Sequence, residues 1–415
     1  GLVAVYTTAA LLVSRGAGLL AMAALAADPL FFRQSVTLQA DGPSVCLALA
    51  ALAAAALARR LRDRPRPPGA GPGDGAGRGG LLPAWLALFA GALLALAVLT
   101  KLLAVAALPA VGVMLAAPGD GRTPTGDRLP AGGARQGHAL RDLGAAAAGG
   151  SLVAAAVLLP YVDAWGPLWR QAVGLHLGAQ ALSIGGFTPG DALPELPLLA
   201  LGLAGLAVAA RRAPALAAAG GSWVMAAALL LALHRPFWPH HAVVLTAPLA
   251  LLAGGLAPRP EAMPARRLVT AALALAAIAA WTASFAHVRA LQQPPATRAA
   301  AVAALRSATA PGEPVVTDDQ FTAALAGRST PPELVDTSEV RVVSGDLTAD
   351  RVESIIQRDR VPAVLLATGR LDRLPGFESW LRGHFPVRRD LGPSGVLYLR
   401  PEGISPGPAG ADAGR

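Results

Sequence analysis

Residues 42–58 read GPSVCLALAALAAAALA, and the segment 59–66 that follows them reads RRLRDRPR. The first stretch holds no charged side chain. A helix of roughly 17–25 mostly apolar residues is long enough to cross the hydrocarbon core of a membrane. Arginine in short loops marks the cytoplasmic side of membrane helices. This junction therefore predicts a membrane-spanning helix that ends on the cytoplasmic side.

Similar apolar runs recur through the first 290 residues. Together they predict about ten spans, at 1–14, 16–30, 42–58, 81–99, 102–117, 144–161, 196–210, 215–233, 242–257 and 268–287. The predicted fold class is therefore mainly α, with a polytopic transmembrane helix bundle.

The positions of the arginines predict the orientation of this bundle. Arginine is concentrated in four loops, which we assign to the cytoplasm: 59–80, 118–143, 211–212 and 258–267. The remaining connections then lie on the outer side: 31–41, 100–101, 162–195, 234–241 and everything after 288.

The composition excludes several classes of protein. Hydrophobic residues make up 54% of the chain and charged residues only 15%, whereas an ordinary soluble domain has about 25% charged residues. This composition excludes a soluble enzyme and a disordered chain. The single cysteine excludes a disulfide framework. Because the net charge of +9 comes from loops between apolar runs, we expect a lipid bilayer and not nucleic acid as a partner.

The sequence after residue 290 has the composition of an ordinary globular domain. Its periodicity predicts helices at 299–309, 348–360 and 376–384, and strands at 314–318, 362–368, 387–391 and 396–399. We therefore expect a transmembrane region at 1–290, a small extracytoplasmic α/β domain at 296–400 and a disordered tail at 401–415.

Two ionisable residues lie at the outer ends of predicted spans. Asp41 precedes Gly42 and Pro43 at the start of a span, where a charged group is costly unless it is used or paired. It is either the N-cap of a helix or a functional carboxylate. Lys101 lies between two spans. It is either a cation whose long aliphatic side chain lets the ammonium group reach the membrane–water interface, or a contact for a phosphate group.

The outer loops carry further polar candidates. Residues 162–195 contain Arg170 and His176, and His176 is either a polar interface residue or a catalytic one. The loop 234–241 ends in His240 and His241. Adjacent histidines can bind a metal, but neighbouring residues on a helix point apart and no third ligand is evident, so we predict no metal site there.

Motifs of soluble enzymes are absent: the sequence has no P-loop, no GxSxG, no HExxH and no CxxC pair. Asp318 and Asp319 follow a predicted strand in the C-terminal domain. Paired carboxylates can perform acid–base chemistry, but here we expect them to cap the helix at 320–326.

Several stretches resemble the family 39 membrane glycosyltransferases of the C-type fold, which include protein O-mannosyltransferases and aminoarabinose transferases. Four stretches carry the resemblance. They are 16–58, with Pro29, Phe32, Arg33 and Asp41; Leu99-Thr100-Lys101; Phe237-Trp238-Pro239-His240-His241 with the apolar run 245–253; and the segment 318–338. Each motif alone is weak, and the resemblance rests on their order and topology over most of residues 1–400.

The resemblance implies an inverting transfer of a sugar from a polyprenyl-phosphate donor to an acceptor at the outer face of a bacterial plasma membrane. Asp41 matches the family's Asp at this span and would be an active-site carboxylate. Lys101, Arg33 and Arg170 would contact the donor phosphate, and the loops of His176, His240 and His241 would contact substrate. The resemblance implies no definite cofactor and leaves a divalent metal open, since a metal neutralises the departing lipid phosphate in some relatives.

The family's principal acidic loop follows its first transmembrane helix. This chain begins at Gly1 in apolar sequence, so we expect that it is truncated at its N-terminus. In such a fragment Asp41 would be the secondary acid of the site, and the principal acid would lie in the missing loop. Two other functions fit ten spans: a transporter or flippase, and a polysaccharide polymerase or ligase of the cell envelope. Few charges lie within the predicted helices, which argues against a transport path.

Overall fold

A computed structural model describes most of the chain. The described residues are 1–36, 39–63, 81–117, 134–179, 195–234, 237–257 and 296–401, with the isolated positions 275, 279 and 282. The chain forms two compact units, Gly1–Trp165 with Gly185–Val288, and Gly166–Ile184 with Arg289–Arg415. The domain boundaries expected from composition remain predictions, and the tail from residue 402 onward lies outside the described residues.

Helices make up the described chain up to residue 257. In chain order they are α1 (Leu2–Leu12), α2 (Arg15–Ala27), α3 (Pro29–Val36), α4 (Asp41–Arg62), α5 (Leu81–Thr100), α6 (Leu108–Ala116), α7 (Ala134–Leu158), α8 (Trp165–Trp169), α9 (Leu175–Ala179), α10 (Leu196–Arg212), α11 (Pro214–Leu233) and α12 (Val243–Ala253). Alanine and leucine, which have high helix propensity, dominate most of them. The 3₁₀ turns Leu102–Ala107 and Pro239–Ala242 lead into α6 and α12.

Five described helical stretches are long and apolar enough to cross a membrane: Asp41–Arg62, Leu81–Thr100, Gly137–Gly174, Pro214–Leu233 and Pro239–Leu256. Helices α2 and α3 pass the same test as a pair but are bent by 70° at Asp28. The chain is therefore a multi-pass membrane protein. About ten spans are not confirmed, because several candidates correspond to shorter helices and 268–287 lies almost entirely outside the described residues.

Helices α5 and α7 approach each other to backbone contact. A Cβ atom at Gly91 would lie 1.8 Å from the carbonyl oxygen of Ala146, and one at Gly149 would lie 2.0 Å from that of Leu88. Small residues allow such close approach between membrane helices, where packing rather than the hydrophobic effect drives association. Glycine at these two positions therefore determines how α5 and α7 pack.

The C-terminal end of α4 is held by a partly buried arginine. The guanidinium of Arg62 forms a 2.9 Å ion pair with Asp142 of α7. It also donates to the carbonyl oxygens of Leu115 and Ala117, at 2.9 and 3.1 Å, where α6 ends. Carbonyl groups at a helix end lack partners within the helix. One side chain thus connects α4, α6 and α7.

The second unit contains a small mixed sheet. Its strands are β1 (Val315–Thr317), β2 (Ala363–Leu366), β3 (Val387–Asp390) and β4 (Val396–Leu399), in the order β1-β2-β4-β3 with only β1 and β2 parallel. Its later helices are α13 (Ala296–Ala308), α14 (Gln320–Ala326), α15 (Glu339–Val343), α16 (Ala349–Arg358) and α17 (Phe377–His384). The helices and strands expected here are confirmed within a few residues. The hydroxyl of Thr348 accepts from the Arg351 N–H as the predicted N-cap of α16.

The carboxylates after β1 do not cap α14 as expected. Asp318 is fully buried and accepts hydrogen bonds from the backbone N–H groups of Ala367, Thr368 and Arg370, so it holds the loop that follows β2. Asp319 occupies the N-cap position, but its side chain makes no capping bond and pairs with Arg298 at 3.2 Å. A loop rich in free N–H groups outcompetes the helix start for the Asp318 carboxylate.

Candidate functional site

Asp41 and Lys101 form a partly buried ion pair, in which the Lys101 side chain is 26% exposed. The Lys101 ammonium lies 3.1 Å from Oδ2 of Asp41, whose side chain is 4% exposed. Asp41 is the first residue of α4, but the N-cap position is Ala40 and no side chain caps the helix. The interpretation of Asp41 as an N-cap is therefore wrong, and both interpretations of Lys101 remain predictions. Each residue is the partner of the other.

The backbone around Asp41 explains how the carboxylate is positioned. A Cβ atom at Gly42 would lie 2.5 Å from the carbonyl oxygen of Gln34, so α3 packs directly against the first turn of α4. The Ser44 hydroxyl donates to the Asp41 carbonyl at 2.8 Å. Lys101 follows α5 in an extended conformation, with φ −154 and ψ 120, and this turns its side chain back toward α4.

Such a pair is costly to place in an apolar bundle and costly to break. Both charges lose hydration on burial, and removal of one partner leaves the other unpaired in a medium of low dielectric constant. In membrane proteins, buried ionisable residues therefore mark functional sites by default. The pair can also be separated by a ligand. An anion that pairs with the Lys101 ammonium group leaves the Asp41 carboxylate without its partner.

Three histidines gather near this pair, at the start of α12. The ring centroids of His240 and His241 are 4.5 Å apart, and those of His234 and His241 are 4.8 Å apart. His241 is 6% exposed and its Nδ1 accepts from the Trp238 backbone N–H at 3.4 Å. His240 lies close enough to Asp41, Lys101 and Arg33 for their charges to act on its ring.

A pocket opens beside the ion pair and runs into the bundle. Its polar lining consists of Asp41, Ser44, Lys101, Trp223 and His241, and its other walls are apolar side chains of α4, α12 and the 102–107 turn. Its volume of about 10 Å³ has room for about one water molecule.

A second carboxyl pair, which the sequence analysis missed, joins Asp28 and Glu195. Oδ1 of Asp28 accepts from the Phe31 N–H at 2.6 Å, while Oδ2 is buried with no N–H or hydroxyl donor among the described residues. The carboxyl group of Glu195 lies next to it. Two carboxyl groups form a hydrogen bond only when they share a proton.

The proton belongs to the pair. Glu195 precedes α10 and lies outside the described helices long enough to cross a membrane. Burial, and then the neighbouring Asp28, raise the pKa of Glu195 to about 9, against the opposing charge of Arg33. Arg33 therefore acts on both groups, on Glu195 on one side and on His240 on the other. No sequence motif marks Asp28 or Glu195, and only folding brings these two positions together.

Two predicted site residues lie in the other compact unit. Arg170 is exposed in the turn Arg170–Gly174. His176 belongs to the short helix α9, and its side chain lies outside the described part of the chain. The roles of both residues remain predictions.

The described side chains do not fit a divalent metal. None of the described His, Cys, Asp and Glu residues form a group of three or more that could hold an ion. The Asp41 carboxylate is neutralised by Lys101, and the histidine rings lie against one another.

Comparisons with known proteins add little to this geometry. No protein-family model matches the chain, and no curated protein matches it. The crystal structure of the Archaeoglobus fulgidus oligosaccharyltransferase in complex with Zn and sulfate is similar, with 14% identity and a TM-score of 0.46. The similarity covers 96% of this chain and 59% of that one, so this chain spans about three fifths of the other protein's length. A likeness of this size does not define what the chain does.

Proposed function

We propose that this chain is an integral-membrane glycosyltransferase that moves a sugar from a polyprenyl-phosphate donor to an acceptor. The acceptor is a protein, a lipid or a glycan. The reaction takes place at the extracytoplasmic face of a bacterial plasma membrane, on the side where we also place the α/β domain. The order of the motifs that resemble family 39 transferases supports the reaction class.

The partly buried Asp41–Lys101 pair is the observation that carries this proposal. A lipid-linked sugar brings a phosphate to the membrane surface, and Lys101, with Arg33 nearby, offers it positive charge. Once the phosphate takes the lysine, Asp41 is free to accept a proton. The resting ion pair thus keeps the carboxylate inactive until the donor is in place.

The bonds change in one displacement. The acceptor O–H bond breaks and its proton passes to the Asp41 carboxylate. The acceptor oxygen bonds to the anomeric carbon while the bond from that carbon to the phosphate oxygen breaks. The polyprenyl phosphate leaves with the electron pair, and Lys101 and Arg33 stabilise its charge. Attack opposite to the leaving group inverts the anomeric centre.

The position of the charged groups favours this reaction over transport. Asp41 starts α4, Lys101 follows α5, and His240 and His241 precede α12, so the groups gather where helices end. A transporter places its substrate site near the middle of the membrane, at broken helices. Helix ends are where a lipid phosphate lies. Arg170 and His176 remain proposed contacts for the donor phosphate and the substrate.

The first test is sugar transfer by the purified protein in lipid nanodiscs. Polyprenyl-phosphate hexoses and pentoses serve as donors, with a membrane extract as the source of acceptor. We expect Asp41→Asn to lower the rate by about 10²- to 10⁴-fold. Asp63→Asn is the matched control, because Asp63 caps the opposite end of the same helix. Absence of transfer by the wild-type protein from every donor, or full activity of Asp41→Asn, would show the proposal to be wrong.

A further inference from the structure

The indole N–H of Trp223 in α11 has no acceptor among the described residues. The Trp223 side chain is 1% exposed and lines the pocket together with Asp41 and Lys101. A buried donor without a partner is unfavourable, and more so in the apolar interior of a helix bundle. The pocket, with a volume of about 10 Å³, has room for about one water molecule. The donor and the pocket together therefore point to one small occupant.

We infer that Trp223 is a positioning residue, which holds a single water molecule between its indole N–H and the Asp41 carboxylate. This water gives the carboxylate a second partner besides Lys101. The water site itself is independent of the function proposed above. Its consequence for catalysis rests on that function, because it requires Asp41 to be the base.

The mixture of donors and acceptors in the lining selects water over an ion. The side chains of Trp223 and Lys101 only donate hydrogen bonds, whereas the ionised Asp41 side chain only accepts them. A small cation would face the ammonium group and the indole N–H, and a small anion would face the carboxylate. A water molecule both accepts and donates, so it can bond to the indole on one side and to the carboxylate on the other.

The Ser44 hydroxyl provides a third partner on the wall of the pocket. It donates to the Asp41 carbonyl at 2.8 Å, and its oxygen keeps lone pairs with which to accept a hydrogen bond. Buried water molecules typically make about three hydrogen bonds to polar groups of the protein, whereas cavities that stay dry are lined by apolar groups. The indole, the carboxylate and the hydroxyl therefore suit one ordered water molecule.

The water molecule acts when Lys101 leaves Asp41. In the proposed reaction the donor phosphate draws the ammonium group away, so the carboxylate loses the partner that orients it. The water, held from α11 by Trp223, still donates to the carboxylate and keeps it in place. A general base must lie within hydrogen-bond reach of the proton that it accepts. Trp223 thus acts on the reaction through Asp41 and does not touch the substrate.

The first measurement detects the water molecule directly. In bilayer samples with ¹⁵N-labelled tryptophan, solid-state NMR measures the transfer of magnetisation from water to each indole N–H. The signal that Trp223→Phe removes belongs to Trp223, and we expect it to receive magnetisation from water. Val45→Ile adds one methylene group to the lining and should abolish the transfer. Val111→Ile should preserve it, because Val111 is equally buried and does not line the pocket.

The second measurement separates a positioning role from a structural one. Trp223→Phe keeps an aromatic ring and removes the N–H. We expect it to lower kcat for sugar transfer about tenfold, the effect of one hydrogen bond, and to leave KM for the lipid donor unchanged. Trp85→Phe, at a tryptophan of α5 that is 62% exposed, should change neither constant. Should Trp223→Phe fail to fold, Val45→Ile should show the same split between kcat and KM.

The outcomes separate this inference from the proposed function. A wild-type protein that transfers sugar, but whose Trp223 signal receives no magnetisation from water, overturns the inference and leaves the glycosyltransferase proposal standing. An unchanged kcat in Trp223→Phe contradicts the positioning role. Magnetisation transfer that Val45→Ile abolishes, in a protein that transfers no sugar, supports the water site and contradicts the proposed reaction.

Discussion

The side chains of Asp41 and Lys101 meet at 3.1 Å although 60 positions separate them in the sequence. Their contact joins the start of α4 to the end of α5 on the side where the histidines and Arg33 also lie. The pair has a structural consequence as well as a chemical one. Each charge is acceptable in the bundle only because the other is present.

Loss of Lys101 should therefore destabilise the protein. Lys101→Met leaves the Asp41 carboxylate buried without a counter-charge, and we expect a loss of about 3–5 kcal/mol in unfolding free energy. The double variant Asp41→Asn/Lys101→Met should recover much of this loss, since it removes both charges. Thermal unfolding in detergent measures each variant. Arg382→Ala is the control, because Arg382 and Glu378 form an exposed pair whose loss should leave the melting temperature unchanged. A single variant as stable as wild type would contradict the paired state.

Arg62 should stabilise the packing at the end of α4 that is opposite to Asp41. Arg62→Met removes the ion pair to Asp142 and two bonds to carbonyl oxygens at the end of α6, and we expect a loss of about 3–5 kcal/mol. Arg60→Met is the matched control. Arg60 lies on the same helix, is exposed, and donates to a single carbonyl oxygen, that of Leu11. Melting temperatures of the two variants measure the difference. Equal melting temperatures would show that Arg62 does not hold the three helices together.

The proton that Asp28 and Glu195 share should make stability depend on pH. A glutamate in the unfolded chain ionises near pH 4.5, whereas the folded pKa is about 9. Between these values the folded state binds more protons than the unfolded state, so the unfolding free energy falls as pH rises. The slope from this group is at most about 1.4 kcal/mol per pH unit.

A substitution distinguishes the contribution of Glu195 to the pH dependence of stability from the contributions of other titrating groups. Glu195→Gln keeps a hydrogen-bond donor beside Asp28 without titrating, so the loss of stability between pH 5 and 9 should become smaller. Glu378→Gln is the control, because Arg382 and Tyr398 lower the pKa of Glu378 and it stays ionised over this range. Melting curves at several pH values test the prediction. Identical pH profiles for Glu195→Gln and wild type would mean that the two carboxyl groups do not share a proton.

Hydropathy predicted where helices lie but not where they break. Most of the candidate spans up to residue 257 coincide with helix, yet α2 and α3 bend by 70° at Asp28 and a 3₁₀ turn follows Lys101. Such breaks depend on caps and packing, which a window average of hydropathy does not contain. Asp41 and Lys101 were predicted singly, but their pairing depends on how α4 and α5 pack. Asp28 and Glu195 escaped prediction because neither lies in a recognisable motif.

The close contact between α5 and α7 leaves no room for a methyl group at Gly149. A Cβ atom at Gly149 would lie 2.0 Å from the Leu88 carbonyl oxygen, so Gly149→Ala forces α5 and α7 apart, and we expect a loss of about 1–3 kcal/mol. Gly144→Ala on the same helix meets nothing within 4 Å and should be neutral or stabilising by up to about 1 kcal/mol, because alanine favours helix. Melting temperatures of the two variants in detergent measure the difference. The pair separates packing from propensity, because both variants add the same methyl group to α7. Stabilisation by both substitutions would mean that α5 and α7 do not touch at Gly149.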